Sequence, residues 1–210
     1  VVELSSFYLD IIKDRLYCEE KDGLLRRSAQ TALWLILDTI TKLFAPILAF
    51  TCDEIWLAMP HRMGDDPRNV LLNEMNKPFT EYALDGETMG HWDQIIALRD
   101  TVNNALEQAR NEKKIGKGLE AAVTVSVPPE VKWFTEMDRE ELADLLIVSQ
   151  VSVNVGEKGS KWTAEVAPAA GQKCERCWKV LPAVGSNSKH PTLCPRCADV
   201  IAKSTSFEAL

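Results

Sequence analysis

Four cysteines in two matched pairs, Cys174 with Cys177 and Cys194 with Cys197, lie in the stretch CERCWKVLPAVGSNSKHPTLCPRC, with sixteen residues between the pairs. A CxxC turn presents two thiolates from one tight knuckle, and two facing knuckles complete a tetrahedral sulfur site for a soft divalent ion. The spacing is that of a C-x2-C, linker, C-x2-C zinc site. It predicts one structural Zn2+ on Cys174, Cys177, Cys194 and Cys197. Other chemistries use the same residues. Paired disulfides would suit a secreted chain, but no signal-peptide pattern is present, and Cys18 and Cys52 stand singly in apolar helical patterns, as thiols do in a reducing cytoplasm. A redox CxxC needs a strand–helix setting, whereas Pro195 and Arg196 read as part of a loop-rich stretch. His190 is near enough for a Cys3His site, but with four cysteines at hand it reads as an exposed loop histidine; His61 and His91 receive no role.

The elements that must position these residues follow from periodicity. At 210 residues the chain holds one large or two small domains, and its apolar runs are too short to cross a bilayer. It opens on an amphipathic pattern, with Leu4, Phe7, Tyr8, Ile11, Ile12 and Leu16 on one face and no initiator methionine, which suggests a piece of something longer. Residues 24–44 read as a long helix with a stripe of Ala29, Leu33, Ile36, Ile40 and Leu43, stopped at Pro46. Thr51 and Glu54 have capping-box spacing and predict a short helix from Thr51 to Pro60. Residues 61–87 read as irregular, and a helix from about Thr88 to Lys114 carries Trp92, Ile95, Ile96, Val102, Leu106 and Ala109 inward before a glycine-assisted exit at KKIGKG. Valine-rich alternation in LEAAVTVSV, LIVSQVSVNV and KWTAEV predicts three strands, with a helix after Pro128 and Pro129. APAAGQ reads as a flexible link.

The predicted fold is therefore mainly α: a helical bundle over 1–87, a long helix with a small α+β module over 88–168, and a zinc finger with its tail over 169–210. Charge is unevenly spread. Between Lys173 and Lys203, six basic residues face Glu175 and Asp199, so this stretch is +4 and the remainder of the −7 chain is −11. A basic knob on an acidic body is the footprint of a nucleic-acid contact, or simply a solvated surface.

Three segments, in order, resemble one family. FYLDIIKDRLYC, RRSAQTAL and APILAFTCDEIW resemble the anticodon-binding helical domain of class Ia aminoacyl-tRNA synthetases, closest to the isoleucyl branch; WDQIIALRDTVNNALEQARNEKKIGKGLEAAV is similar to the region that follows it; CERCW and CPRC resemble the finger that ends bacterial isoleucyl-tRNA synthetases. The finger argues against the valyl branch. The resemblance covers almost the whole chain and implies the tRNA-recognition part of an isoleucine–tRNA ligase: cytoplasmic, monomeric, without membrane contact, and partnered by an isoleucine tRNA. It also implies an incomplete bundle. Neither HIGH nor KMSKS occurs, so ATP use and aminoacyl transfer would belong to a catalytic domain absent here, and the chain alone would be inactive.

Unpaired RNA bases are read by stacking on aromatic or guanidinium planes, about 1–3 kcal/mol per base. The resemblance carries a place near the anticodon to Arg176 and Trp178; Arg196, at the matching site of the second knuckle, would reach phosphate. Lys114 and Lys117, with Lys113, form a second basic cluster that suits either a tRNA backbone or a helix C-terminus, and Arg26 and Arg27 suit either RNA or carboxylates. Trp178 would alternatively pack against its own knuckle as a small core, while Trp34, Trp56, Trp92, Trp133 and Trp162 read as core. Two rival functions use the same finger. A DNA glycosylase of the formamidopyrimidine type would need an N-terminal proline and glutamate where this chain has VVEL, and a structural clip would need no RNA at all.

Overall fold

The computed structural model describes residues 3–207. A π-helical turn at Glu3–Tyr8 and a single turn at Leu9–Ile11 lead into α1 (Lys13–Cys18). Then follow α2 (Leu24–Phe44), α3 (Ala49–Ala58), α4 (Gly86–Asn111), β1 (Ala121–Val127), α5 (Lys132–Glu136), α6 (Arg139–Leu146), β2 (Gln150–Val155) and β3 (Thr163–Pro168). A two-residue pair, β4 (Gln172–Lys173) and β5 (Val180–Leu181), precedes α7 (Pro195–Phe207). The chain divides into two compact units: Lys21–Leu84 forms one, and the segments before and after it form the other.

In the Lys21–Leu84 unit, the wholly buried Trp56 packs with Ala45, Cys52, Met59 and Val70, and Trp34 and Ile55 close over them. Trp56 Nε1 donates to Asp66 O at 3.0 Å, and the His61 ring packs tilted against its ring with centroids 4.4 Å apart. The short helix starts two residues earlier than Thr51 and has no side-chain cap, because α2 and the loop fix its entry through packing. The buried face of α2 is also not the expected stripe. Ala29, Asp38, Thr41 and Lys42 are buried, whereas Ile40 and Leu43 are exposed. The reason is a polar network: Asp38 Oδ2 accepts from Arg62 Nη2 at 2.8 Å and from Asn76 Nδ2 at 2.6 Å. Lys42 Nζ sits 3.0 Å from Asp38 Oδ1 as an ion pair without hydrogen-bond alignment, and 3.3 Å from Asp65. Helical spacing places Asp38 and Lys42 one turn apart on one face, and the loop residues Arg62, Asp65 and Asn76 complete the set.

In the other unit, β1 is the central strand of the sheet order β2-β1-β3, parallel to β2 and antiparallel to β3. The parallel pair needs a long crossover, which α5 and α6 supply. Ala121, Val123, Val125 and Val127 alternate inward and meet Leu98, Val102, Leu106 and Ala109 of α4 and Phe134, Leu142 and Leu146 of α5 and α6. Leu98 replaces Ile96 on the expected inner face, since Ile96 is left exposed. Asp85 caps α4 by accepting from Thr88 N–H at 2.7 Å. The helix closes in a Schellman turn, with Lys114 N–H on Ala109 O and Lys113 N–H on Arg110 O, both 2.9 Å. Lys113, not a glycine of KKIGKG, takes the left-handed position, with φ +58°. Residues 167–172 are not a free link either. Ala169 N–H bonds Glu120 O at 2.7 Å, and Gln150 Nε2 donates to Ala170 O at 2.7 Å. Gly171 (φ +112°) runs so close to the chain that a Cβ there would lie 2.2 Å from the carbonyl carbon of Leu181.

The Asp38 network gives a direct test. Removing Asp38 strips the buried Lys42 of one of its two carboxylates and leaves Arg62 and Asn76 without their acceptor, so Asp38→Ala should destabilise the Lys21–Leu84 unit by about 3 kcal/mol, measured by urea denaturation. The network is of little consequence if the loss stays within the scatter of ordinary surface substitutions.

Candidate metal centre and the surface beside it

The first knuckle is a tight turn closed at both ends. Cys174 N–H donates to Lys179 O and Trp178 N–H to Cys174 O, each at 2.9 Å. The second is built differently. Pro195 opens α7, where its missing N–H costs nothing, so Cys194 directly precedes a helix and Cys197 lies in its first turn. The stretch that read as loop is thus helical, because Pro195 is a start signal here rather than a break. Cys194 N–H points at Cys174 Sγ, 3.3 Å away, and Ala198 N–H closes back on Cys194 O at 3.0 Å.

These turns bring Cys174, Cys177, Cys194 and Cys197 together with all four sulfurs within 4.8 Å of one another, all buried. The Cys177–Cys194 sulfur separation is 3.9 Å. A tetrahedron with Zn–S bonds of about 2.3 Å has edges of about 3.8 Å. The donor set therefore fits a zinc ion and leaves no coordination position for chemistry. Its role would be to hold the fold together. His190 lies outside the group. A redox pair would need only two of the sulfurs. As thiols, Cys177 and Cys194 are pushed up, Cys177 first by its hydrogen bond to Cys197 and then by burial, Cys194 by burial.

A fifth thiol, Cys18 at the end of α1, is packed into the same buried cluster. Burial, with the nearby Asp14 charge, pushes it up to about 11, so it stays neutral and donates to Arg176 O at 3.7 Å. Its place here is invisible in the sequence, where it belongs to an apolar helical pattern 156 positions before Cys174.

The arginines of both knuckles turn inward to this helix end. Arg176 Nη1 donates to Cys18 O at 2.5 Å and Nη2 to Tyr17 O at 3.3 Å, while Nη1 also lies 3.6 Å from Cys197 Sγ. Arg196 grips Asp14 through both terminal nitrogens, with Nη2 2.8 Å from Oδ1, and Nη1 reaches Glu19 Oε1 at 2.8 Å. Burial acts to raise the Asp14 carboxyl, but the hydrogen bond and charge of Arg196 outweigh it and hold the group below its ordinary range. Lys179 pairs with Asp144, and Lys203 with Glu20. Four of the six basic residues that make this stretch +4 are thus engaged within the molecule. The acidic residues Asp14, Glu19 and Glu20, opposite in sign to the basic finger, are the one sequence signal that could have suggested this pairing.

Trp178 turns outward. The residue is 58% exposed, with Lys173 Nζ 6.0 Å from the centroid of its ring, so it does not form a small core under the knuckle. With Tyr17 and Lys13 it borders a cleft of about 500 Å3. Its backbone is left-handed, φ +66°, a conformation that costs a residue with a Cβ about 1–2 kcal/mol. Lys114 and Lys117 are exposed at the far end of α4, and Lys114 pairs with Glu112 at 2.6 Å. His91 stacks on Trp133 with centroids 4.1 Å apart, a packing role like that of His61. No helix among the described residues is long and apolar enough to cross a membrane.

With this geometry in view, comparison with known proteins gives two family matches. Residues 1–125 match the anticodon-binding domain of tRNA ligases, and residues 171–200 match a zinc finger found in FPG and IleRS. Similar proteins include the isoleucine–tRNA ligase of Geobacillus thermodenitrificans, 44% identical over 95% of this chain, and that of Syntrophotalea carbinolica, also 44% over 95%. That of Dichelobacter nodosus is 42% identical over 94%. The chain spans about a fifth of the length of these relatives, 21–22%.

Because strain at residue 178 is relieved only by glycine, Trp178→Gly should raise the thermal stability of the zinc-loaded chain, by up to about 1 kcal/mol. A fall in stability would show that packing of the exposed ring outweighs the backbone strain.

Proposed function

This chain belongs to the family of tRNA-ligase anticodon-binding domains, and we propose that it recognises the anticodon stem-loop of an isoleucine tRNA, with the zinc-held Trp178 as its stacking surface. The observation that carries the reading is Trp178 itself. A large aromatic ring is kept exposed, in a backbone conformation that favours glycine, on a turn fixed by two metal-ligating cysteines. Strain retained at one exposed aromatic residue points to a use for that residue. An unpaired base can stack on such a ring at little entropic cost, because the knuckle has already ordered it. Lys173, beside the ring, and the cleft shared with Tyr17 offer a cation and room for the nucleotide.

In this reading one Zn2+ is held by Cys174, Cys177, Cys194 and Cys197, and supplies rigidity alone. Lys117 and Lys114 face solvent and supply backbone contacts further along the RNA. Arg176 and Arg196 contribute through the finger they anchor. The complete ligase would be a cytoplasmic enzyme that activates isoleucine with ATP and esterifies the tRNA, using residues outside these 210, which contain neither HIGH nor KMSKS. Binding energy collected at the anticodon would commit the cognate tRNA to that transfer. The glycosylase alternative is disfavoured, since the anticodon-domain match accounts for residues 1–125 that it leaves unexplained.

Fluorescence anisotropy of the zinc-loaded chain with an isoleucine tRNA, and with the same tRNA carrying a replaced anticodon, tests the reading. The expected result is tighter binding of the native anticodon, and a loss of about tenfold or more for Trp178→Ala with zinc retained. Equal affinity for both tRNAs, or wild-type binding by Trp178→Ala, would sink it. Removing zinc with a chelator should abolish the preference and disorder residues from about 172 onward, while circular dichroism of the helices persists.

A further inference from the structure

We infer that Arg176 and Arg196 are positioning residues: they clamp the finger onto the C-terminal end of α1 and thereby fix where Trp178 stands. An RNA-contacting arginine must present its guanidinium outward. Both of these spend it on the protein. Arg176 supplies a cation and two N–H donors to Tyr17 O and Cys18 O, the last carbonyls of α1, which have no partner within their own helix. Arg196 forms a two-pronged pair with Asp14, one turn earlier, and adds Glu19 just past the helix end. Such a planar fork fixes angle as well as distance.

The clamp is reciprocal. Cys18 packs into the buried cluster around the four cysteines and donates to Arg176 O, so each side supplies donors to the other. Lys203 with Glu20 adds a third charged contact to the same acidic stretch. Arg176 also touches Cys197 Sγ, which ties the clamp to the metal-binding side chains. Residues 14–20 are therefore a seat for the finger, and a change in this segment should act on the finger from more than 150 positions away in sequence.

The effect on RNA rests on the proposed anticodon reading; the clamp itself does not, and the experiment separates them. Two variants of the whole zinc-loaded chain, Arg196→Gln and Asp14→Asn, and their combination are compared by amide hydrogen exchange across residues 15–20 and by tRNA affinity as a function of salt. Zinc content is measured for each, and Asp14→Asn decides should Arg196→Gln lose its metal. Each single variant should speed exchange by about tenfold, the scale of a charged hydrogen bond, and the double variant no further. Both should weaken tRNA binding several-fold without changing the salt dependence. A phosphate-contacting Arg196 would behave oppositely: its loss would lower the salt slope by about 0.9, and Asp14→Asn, by removing a negative charge, would leave binding intact or strengthen it. That pattern, or unchanged exchange in both single variants, overturns the clamp. If the unmutated chain binds no tRNA, the anticodon reading fails while the exchange result still decides the clamp.

Discussion

Four sulfurs within 4.8 Å of one another and out of water cannot persist as neighbouring thiolates unless a cation sits among them. Among the described residues, beside the cysteines the finger region buries only Val184, Leu193, Ala198 and Val200, with Leu181 and Ile201 packed partly against them. A module so poor in apolar surface would depend on a bound metal for order. The knuckle hydrogen bonds, the proline-started α7 and the close pass at Gly171 follow from bringing those sulfurs together. Trp178 owes its left-handed backbone and its exposure to the same turn.

Electrostatics then sorts the cations of the finger. Toward α1 the cations are consumed: Arg176 on helix carbonyls, Arg196 on Asp14 and Glu19, Lys203 on Glu20. Lys173 instead stands by an exposed indole that borders the cleft shared with Tyr17. A net charge counted along the sequence overstates what a polyanion would meet, because most of it is neutralised within hydrogen-bond distance. The two readings of such a finger, an RNA contact and a structural clip, are for this reason not rivals. In the proposed reading the arginines would do the clipping, and the tryptophan would be what the clipping presents.

The Lys21–Leu84 unit obeys a different rule. Its helix α2 buries a carboxylate and an ammonium while leaving Ile40 and Leu43 in solvent. Charges inside a small unit are tolerated only when fully partnered, and Asp38 has three partners, two of them from the loop that read as irregular. That loop is thereby structural, anchoring itself through Arg62 and Asn76.

Local chemistry was legible in the sequence. The bounds of α2, the alternation of β1 and the pairing of the cysteines all follow from neighbours within a few turns, where periodicity and ligand spacing act directly. What depended on distant partners was not legible. Nothing local reveals that Cys18 packs into the buried cluster of the finger, that Asp38 outranks the leucines and isoleucines of its helix, or that Arg196 pairs with Asp14. The sequence determined which elements form and which side chains can ligate a metal, because propensity and coordination are short-range. Tertiary structure decided which charges face inward, because a salt bridge is set by the position of a partner that the chain brings back only when it folds.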